Sequence, residues 1–258
     1  MADLKLFNLK TEKPINSKNY TSSEVQAIIE TNCDELLGIK VIASNYLIKK
    51  GNNEIISTLG IDENYTLVII EYRNNRFGKL INKGLVQIDY IKENISEFKI
   101  LIGKKNKDIV PMINYNPRLI IIGNDFVKYD EHAIQQMNSQ IDLIRYIGYS
   151  NSLFLIEKHY QSKSVDHSLW KYRFSDRNEE KLYIAINDYL LSLGDEVIEV
   201  GYNNYLYYRK IKTFMYITFE EEIHCRLLIS GEYKSYPVKS EKDFDKLKDK
   251  IEKAYDQN

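Results

Sequence analysis

One stretch of sequence constrains the fold of this chain more than any other: EIISTLGIDENYTLVIIEYR, residues 54–73. Its two apolar segments, residues 54–61 and 66–72, are separated by Asp-Glu-Asn, and Asp and Asn favour tight turns. Two apolar runs joined by so short a polar segment predict a β-hairpin. The remaining elements must be arranged around this hairpin.

Amphipathic helices are predicted on both sides of the hairpin. Before it, Thr21 and Glu24 have the spacing of a capping box, which begins a helix that Gly38 stops. Residues 40–48 then predict a strand. After the hairpin, apolar residues recur at helical spacing over residues 77–91 and predict a second helix.

Further apolar segments extend this α/β pattern. The compact runs 98–102 and 118–122 predict strands buried on both faces, and residues 152–157 predict another strand. Asp130 is expected to cap a third helix that ends near Gly148. The inward-facing residues of that helix would be Ile134, Met137, Ile141 and Ile144.

The chain changes character after residue 160. Residues 161–178 are polar and aperiodic and predict a linker, in which Trp170 docks against a domain. Residues 179–258 predict a helix, three or four antiparallel strands within 196–230, and a final helix capped by Ser240. The sequence therefore predicts an α/β domain over 1–160, a linker and a small C-terminal α+β domain.

Composition narrows the functional classes only a little. The 36 Lys and Arg nearly balance the 37 Asp and Glu, giving a net charge of −1, so no polyanionic partner is demanded, although a local basic face stays open. Cys33 and Cys225 lie far apart without metal-ligand spacing, which is typical of reduced thiols. No apolar run approaches the roughly 18 residues of a membrane span, and the sequence predicts a cytoplasmic protein without membrane contact.

The end of the hairpin carries residue types that suit a metal-dependent phosphodiesterase. Such an enzyme needs oxygen ligands for a divalent cation that polarises the scissile phosphate and activates water. Glu71 is the candidate metal ligand. Arg73 shares a face of the strand with it, because side chains alternate, and would stabilise developing negative charge. A strand-end ion pair is the alternative for Glu-x-Arg.

Six segments between residues 22 and 158 extend this pattern: LLGIKVIAS, STLGIDEN, VIIEYR, INKGL, PRLIIIG and DFVKYDEHA. In that order they resemble a bacterial family of restriction-endonuclease-like proteins with a PD-(D/E)xK core. Residues 179–258, with SLGDEVIE, YYRKIKTF and KIEKAYD, resemble the uncharacterised C-terminal domain of the same family. The resemblance implies a central mixed sheet flanked by helices, followed by a small α+β domain with an antiparallel sheet.

The family pattern is kept at Glu71 and changed at four other positions. It implies Asp where Ser57 stands, Lys at Arg73, Glu at Asn45 and Gln at Lys83. Ser57 removes a negative charge beside the proposed metal, and Arg73 keeps a cation that cannot act as an adjustable proton carrier. These changes weaken metal binding and favour direct binding of an anion.

The resemblance assigns roles to named residues. An active site would hydrolyse phosphodiesters with Mg²⁺ or Mn²⁺, with Glu71 as metal ligand, Arg73 as charge stabiliser, and Ser57 with Glu30 or Glu35 as auxiliary groups. Contacts to nucleic acid are predicted for Asn82, Lys83, Gln87, Lys104 and Lys105. A solvated loop is the alternative for the lysine cluster.

Two functional hypotheses follow. The first is a nuclease-like protein that binds DNA or RNA through a degenerate or weakened phosphodiesterase site. The second is a non-enzymatic interaction module, in which a retired nuclease scaffold carries a C-terminal domain that binds a protein partner; a homodimer is a further expectation. Four tyrosines beside Arg209 are candidates for stacking bases, and ordinary packing of an antiparallel sheet is the alternative: Tyr202, Tyr205, Tyr207 and Tyr208.

Overall fold

The computed structural model describes residues 5–49, 54–73, 78–162, 174, 176–202 and 205–257. The chain divides into two compact units, Met1–Lys163 and Ser164–Asn258. This boundary falls within the predicted linker, most of which, Trp170 included, lies outside the described residues.

The first unit begins with three short strands and two helices. Their bounds are β1 Leu6–Asn8, β2 Lys13–Ile15, β3 Ser17–Lys18, α1 Ser22–Thr31 and α2 Cys33–Leu37. The predicted capping box is confirmed, since the backbone N–H of Thr21 donates to Glu24 Oε2 at 2.8 Å and that of Glu24 to Thr21 Oγ1 at 3.3 Å. Gly38, with φ 66°, ends the helical segment as predicted, but that segment is two helices, which meet at Asn32, where a single helix was predicted.

The predicted hairpin is confirmed. Strand β4 spans Ile39–Leu47, β5 spans Ile55–Asp62 and β6 spans Thr66–Tyr72, and each pairs antiparallel with the next. Every residue of β6 is buried. This strand therefore lies inside the sheet with both faces covered, as its near-continuous apolar sequence indicates.

The rest of the first unit completes a mixed sheet flanked by helices. Its elements are α3 Gly78–Glu93, α4 Ile95–Gly103, a 3₁₀ turn Val110–Met112, β7 Asn114–Gly123, α5 Lys128–Gln135, β8 Ile141–Tyr149 and β9 Phe154–Gln161. The strands lie in the order β4-β5-β6-β7-β8, and both β3 and β9 pair with β8. The neighbours β6, β7 and β8 are parallel, whereas the other pairs are antiparallel.

The prediction of a strand at residues 98–102 is wrong, because these residues belong to α4. Phe98 and Ile102, one helical turn apart, are fully buried, whereas Ile100 between them is 63% exposed. That burial follows the helical period. A five-residue apolar run fits a buried helix as well as a buried strand, so the sequence pattern alone could not separate them.

The prediction that the third helix runs to Gly148 is also wrong. Helix α5 ends at Gln135, and Ile141 and Ile144 belong to strand β8. This strand pairs with β7 on one side and β9 on the other, and most of its residues are buried. Because apolar residues occupy both faces of such a strand, their spacing also matches that of a helix. The sequence pattern therefore predicts a helix where the structure has β8.

A buried cation ties the strands of this sheet together. Arg118 of β7 is 3% exposed, and its guanidinium lies 3.6 Å from Asp62 Oδ2 and 3.5 Å from Asp142 Oδ2. Asp62 also accepts from the backbone N–H groups of Asn64 and Thr66, each at 2.9 Å, which closes the hairpin turn. Asp62 is therefore part of the framework.

The second unit is an α+β domain, as predicted. Its elements are α6 Arg177–Ser192, β10 Ile198–Tyr202, β11 Tyr205–Arg209, β12 Thr213–Phe219, β13 Ile223–Ile229, β14 Glu232–Val238, α7 Glu241–Asp245 and α8 Lys248–Gln257. The strands form an antiparallel sheet in chain order. Four of them lie within residues 196–230, as predicted, and β14 adds a fifth strand beyond that range. The final helix is two helices, and Ser240 caps the first, accepting from the Asp243 N–H at 3.4 Å.

The tyrosines of β11 illustrate how this second unit uses its aromatic residues. Tyr208 is fully buried in the hydrophobic core, and its hydroxyl donates to Asn187 Oδ1 at 2.9 Å. Burial raises the pKa of Tyr208 well above its usual value, so the phenol stays protonated. Tyr208 therefore packs the sheet.

Within the part of the chain that the structure describes, no helix combines the length and the apolar character needed to cross a membrane.

Candidate functional site

The candidate site is built around Glu71, the second-to-last residue of β6. Its neighbour across the parallel ladder is Ile121 of β7, and the residue is 1% exposed. A carboxylate in such a position has lost its hydration shell. This loss costs several kcal/mol unless hydrogen-bond donors of the protein take the place of the water. The contacts of Glu71 therefore decide what the site can do.

Four donors reach the two oxygens of Glu71. Oε1 accepts from the Ser57 backbone N–H at 3.1 Å and from Gln87 Nε2 at 2.8 Å. Oε2 accepts from Ser57 Oγ at 2.7 Å and from Lys83 Nζ at 2.7 Å. An ionised carboxylate offers about four lone-pair positions. A metal ion could bind Glu71 only by displacing one of these donors.

The elements that supply the donors follow from the local sequence. Because Thr58 pairs with Ile70 in the antiparallel ladder, Ser57 lies beside Glu71. Lys83 and Gln87 are four residues apart on α3 and therefore share one face of the helix. Gln87 Nε2 also donates to the Ile55 carbonyl at 2.9 Å, which fixes the helix to β5 as well as to β6.

A second carboxylate, that of Glu30 in helix α1, contacts strand β5 of the same hairpin. Its Oε1 accepts from Gln26 Nε2 at 3.0 Å and from Thr58 Oγ1 at 2.5 Å, and its Oε2 accepts from Ser44 Oγ at 2.8 Å. Gln26 Nε2 also donates to the Ser57 carbonyl at 2.9 Å. A continuous hydrogen-bond network therefore joins the two carboxylates.

Tyr72 extends this network with a neutral group. Its hydroxyl lies 3.0 Å from Thr58 Oγ1, and the residue is buried. Burial, together with the nearby charge of Glu30, raises the pKa of Tyr72, so the phenol keeps its proton. It offers the network a hydroxyl hydrogen bond and no negative charge.

Arg73 occupies a different place from the one its position in the strand predicts. Its Nη1 donates to the Asp125 carbonyl and lies 3.7 Å from Asp130 Oδ2. The guanidinium carbon is 5.5 Å from the centre of the Phe126 ring. The cation that pairs with Glu71 is Lys83, and the structure turns Arg73 toward the start of α5.

The other predicted site residues are dispersed. Glu35 is exposed on α2, and Asn82 is exposed on α3 beside Lys83. Gln87 is fully buried, and its amide serves Glu71 and β5, so it is not placed to contact nucleic acid. Lys104 and Lys105 are exposed beyond the end of α4.

Asp130 acts as a cap, although not from the position before the helix. It is the third residue of α5, and its Oδ2 accepts from the Val127 N–H at 3.0 Å. Burial raises the pKa of the Asp130 carboxyl, against the opposing effect of the hydrogen bond and of Arg73.

The residues at the site do not fit Mg²⁺ or Mn²⁺. Hard divalent cations need several oxygen ligands with unshared lone pairs. Here Glu71 already accepts four bonds, Ser57 donates its hydroxyl to it, and the Lys83 ammonium lies 2.7 Å away. Among the described residues, no group of three or more His, Cys, Asp or Glu side chains could hold a metal ion.

The sequence predicts Glu71 and places Ser57 near it, but it does not predict that Lys83 and Gln87 donate to this carboxylate. It assigns those two residues to contacts with nucleic acid, and it does not single out Gln26, which links Ser57 to Glu30. The available signal was the four-residue spacing of Lys83 and Gln87, which puts both on one helical face. It does not reveal that this face packs on β6.

No protein-family model matches this chain, and neither the curated proteins nor the solved structures contain a match.

Proposed function

We propose that this chain is a nuclease-like, nucleic-acid-binding protein whose metal-dependent phosphodiesterase site is degenerate. A mixed sheet flanked by helices and a carboxylate at the end of the hairpin are both expected for a restriction-endonuclease-like core, and they support the first part. The observation that carries the second part is Glu71, whose oxygens accept four internal bonds, including one from Lys83.

The ammonium of Lys83 balances the charge of Glu71 without replacing the chemistry of a metal. A divalent cation in an open site activates water and polarises a phosphoryl oxygen. A lysine ammonium donates hydrogen bonds and carries one positive charge, but it has no coordination position for water. With Ser57 as a donor where the family pattern has Asp, this site lacks the groups for metal-assisted hydrolysis.

Binding of nucleic acid would depend on local cations, because the chain as a whole carries a net charge of −1. The side chain of Lys83 is 25% exposed, and Asn82 beside it is exposed. Lys104 and Lys105 are exposed at the end of α4. These groups support contacts to phosphates, which position a nucleic acid without reading its sequence.

A cleavage assay tests the degenerate site. DNA and RNA are incubated with Mg²⁺ or Mn²⁺ and either the wild-type protein or Glu71→Ala, and we expect both proteins to show the same background rate. Wild-type cleavage that is faster than that of Glu71→Ala would overturn this part of the proposal.

Gel-shift titrations at several salt concentrations test the binding. We expect a complex at low salt whose affinity falls steeply as salt rises, because bound phosphates release counterions. Lack of any complex at low salt would remove the nucleic-acid function and favour a protein-interaction module.

A further inference from the structure

A pocket of about 400 Å³ lies in the first unit at the carboxyl ends of the parallel strands. Arg73 follows β6, Asn124 follows β7, and Tyr146 to Gly148 lie near the end of β8. Ligands of open α/β sheets bind at this edge, where loops are held by a rigid sheet. The volume is within the range of about 300–1,000 Å³ that small-molecule sites occupy.

Two glycines give this pocket its shape. A β-carbon at Gly148 would lie 2.2 Å from Tyr20 Cε2, and one at Gly123 would lie 3.2 Å from Arg73 Cδ. The absence of side chains at these two strand ends lets the Tyr20 ring and the Arg73 stem cross the sheet edge. The pocket walls are therefore set by packing against the sheet.

The charged walls of the pocket are cationic. Among the residues that the structure describes, its lining contains Arg73 and Lys18 but no carboxylate, and it adds the side-chain amides of Asn19 and Asn124. Lys18 Nζ lies 4.6 Å from the centre of the Tyr20 ring, which favours a position at the pocket wall. Arg73 is oriented by the Asp125 carbonyl and by Asp130, whose Oδ2 lies 3.7 Å from its Nη1 and balances part of its charge.

We propose that this pocket binds a phosphomonoester, with Arg73 and Lys18 contacting the phosphoryl oxygens and the Asn19 and Asn124 amides as further donors. A phosphomonoester carries about −1.5 to −2 charges and three acceptor oxygens at neutral pH, which match two cations and several N–H donors. A carboxylate offers one charge and two oxygens. The remaining volume accommodates a group of nucleoside size.

This inference does not depend on the degenerate nuclease site, which uses Glu71 and other side chains. The phosphomonoester has two sources, a free phosphorylated metabolite and the 5′-phosphate end of a nucleic-acid strand. The two sources share the same phosphoryl chemistry, and they are separated by comparing a nucleotide with an oligonucleotide.

Calorimetric titration of the full chain tests the proposal with matched ligands. AMP is compared with adenosine, and a 5′-phosphorylated oligonucleotide with its 5′-hydroxyl counterpart. We expect the phosphorylated member of at least one pair to bind and its partner to bind at least about tenfold more weakly, a difference of roughly 1.4 kcal/mol. Tighter binding of AMP identifies a metabolite site, and tighter binding of the phosphorylated strand identifies a strand-end site.

Lys18→Gln is the test variant, because Lys18 is exposed and its replacement leaves the core intact. Lys13→Gln is the matched control, since Lys13 is also exposed but does not line the pocket. We expect Lys18→Gln to weaken the phosphorylated ligand by about tenfold and Lys13→Gln to leave it unchanged. Failure of AMP and the phosphorylated strand to bind, or equal losses in the two variants, would overturn the proposal.

Discussion

At the scale of single residues, the central question is how the protein compensates for burying the carboxyl group of Glu71 inside β6. The desolvation of Glu71 costs several kcal/mol, and the gain from four donors, one of which is the Lys83 ammonium, must offset it. The pair is not fully buried, because the Lys83 side chain is 25% exposed while that of Glu71 is 1% exposed. Water therefore weakens the attraction, and hydrogen bonding carries much of the compensation.

The stabilising effect of Lys83 on the buried Glu71 carboxyl group can be measured by replacing Lys83 alone. We expect Lys83→Met to lower the free energy of unfolding by about 1–3 kcal/mol, because it leaves one oxygen of a buried carboxylate without its charged donor. Added to Glu71→Gln, the same change should cost less, since no buried charge remains. Urea denaturation of both single variants and the double variant gives the coupling energy.

Lys92→Met is the matched control for this cycle. Lys92 is an exposed lysine in the last turn of the same helix, so its replacement should change stability by no more than about 0.5 kcal/mol. A coupling energy near zero between positions 71 and 83 would mean that the 2.7 Å contact does not stabilise the protein.

Among the elements, β4 contains an unusual backbone position next to the candidate site. Asn45 has φ 51° and lies between the pairs Ser44↔Thr58 and Tyr46↔Ile56, opposite Ser57. The left-handed region costs most side chains about 1–2 kcal/mol, and Asn and Gly tolerate it best. An asparagine at this position therefore meets a conformational demand of the backbone.

The effect of a substitution at Asn45 on stability should depend on how well the new residue adopts a positive φ, because the side chain is exposed. We expect Asn45→Ala to reduce the free energy of unfolding by about 1 kcal/mol, whereas Asn45→Gly should be close to neutral. Chemical denaturation of the two variants measures the difference. Equal stability of the Ala and Gly variants would show that the backbone conformation at this position is not constrained.

Some secondary-structure elements of this chain can be predicted from the sequence and others cannot. The hairpin and α1 were predictable because their signals are local, namely an Asp-Glu-Asn turn between apolar runs and a capping box. Residues 98–102 and 141–144 were not, because a run buried on several sides loses the period that separates helix from strand. Their conformation depends on what packs against them.

The candidate site follows the same division. Glu71 was predictable from the strand that carries it, but its pairing with Lys83 depends on how α3 packs against β6. Alternation placed Arg73 beside Glu71, yet β6 ends at Tyr72, and Gly123 leaves room for the arginine stem to cross the end of β7. The alternation of side chains along a strand therefore does not predict the direction of Arg73, which lies one residue beyond the end of β6.

At the scale of the whole molecule, each unit has its own hydrophobic core and one buried cysteine. Cys33 is 2% exposed in the first unit, and Cys225 is fully buried in the second. Burial raises the pKa of each thiol to about 12, so very little reactive thiolate exists in the folded protein near pH 8. Each cysteine therefore reports on the opening of its own unit.

Pulsed labelling of these two thiols across a urea series should resolve two unfolding transitions. Units with their own hydrophobic cores can unfold in separate transitions, and the smaller second unit exposes less surface when it unfolds. We therefore expect labelling of Cys225 to rise over a broader range of urea than labelling of Cys33, with a different midpoint. Peptide mass spectrometry quantifies each site, and Cys33→Ala and Cys225→Ala show that one label does not alter the other transition. Coincident midpoints and slopes would instead demonstrate a single cooperative unit.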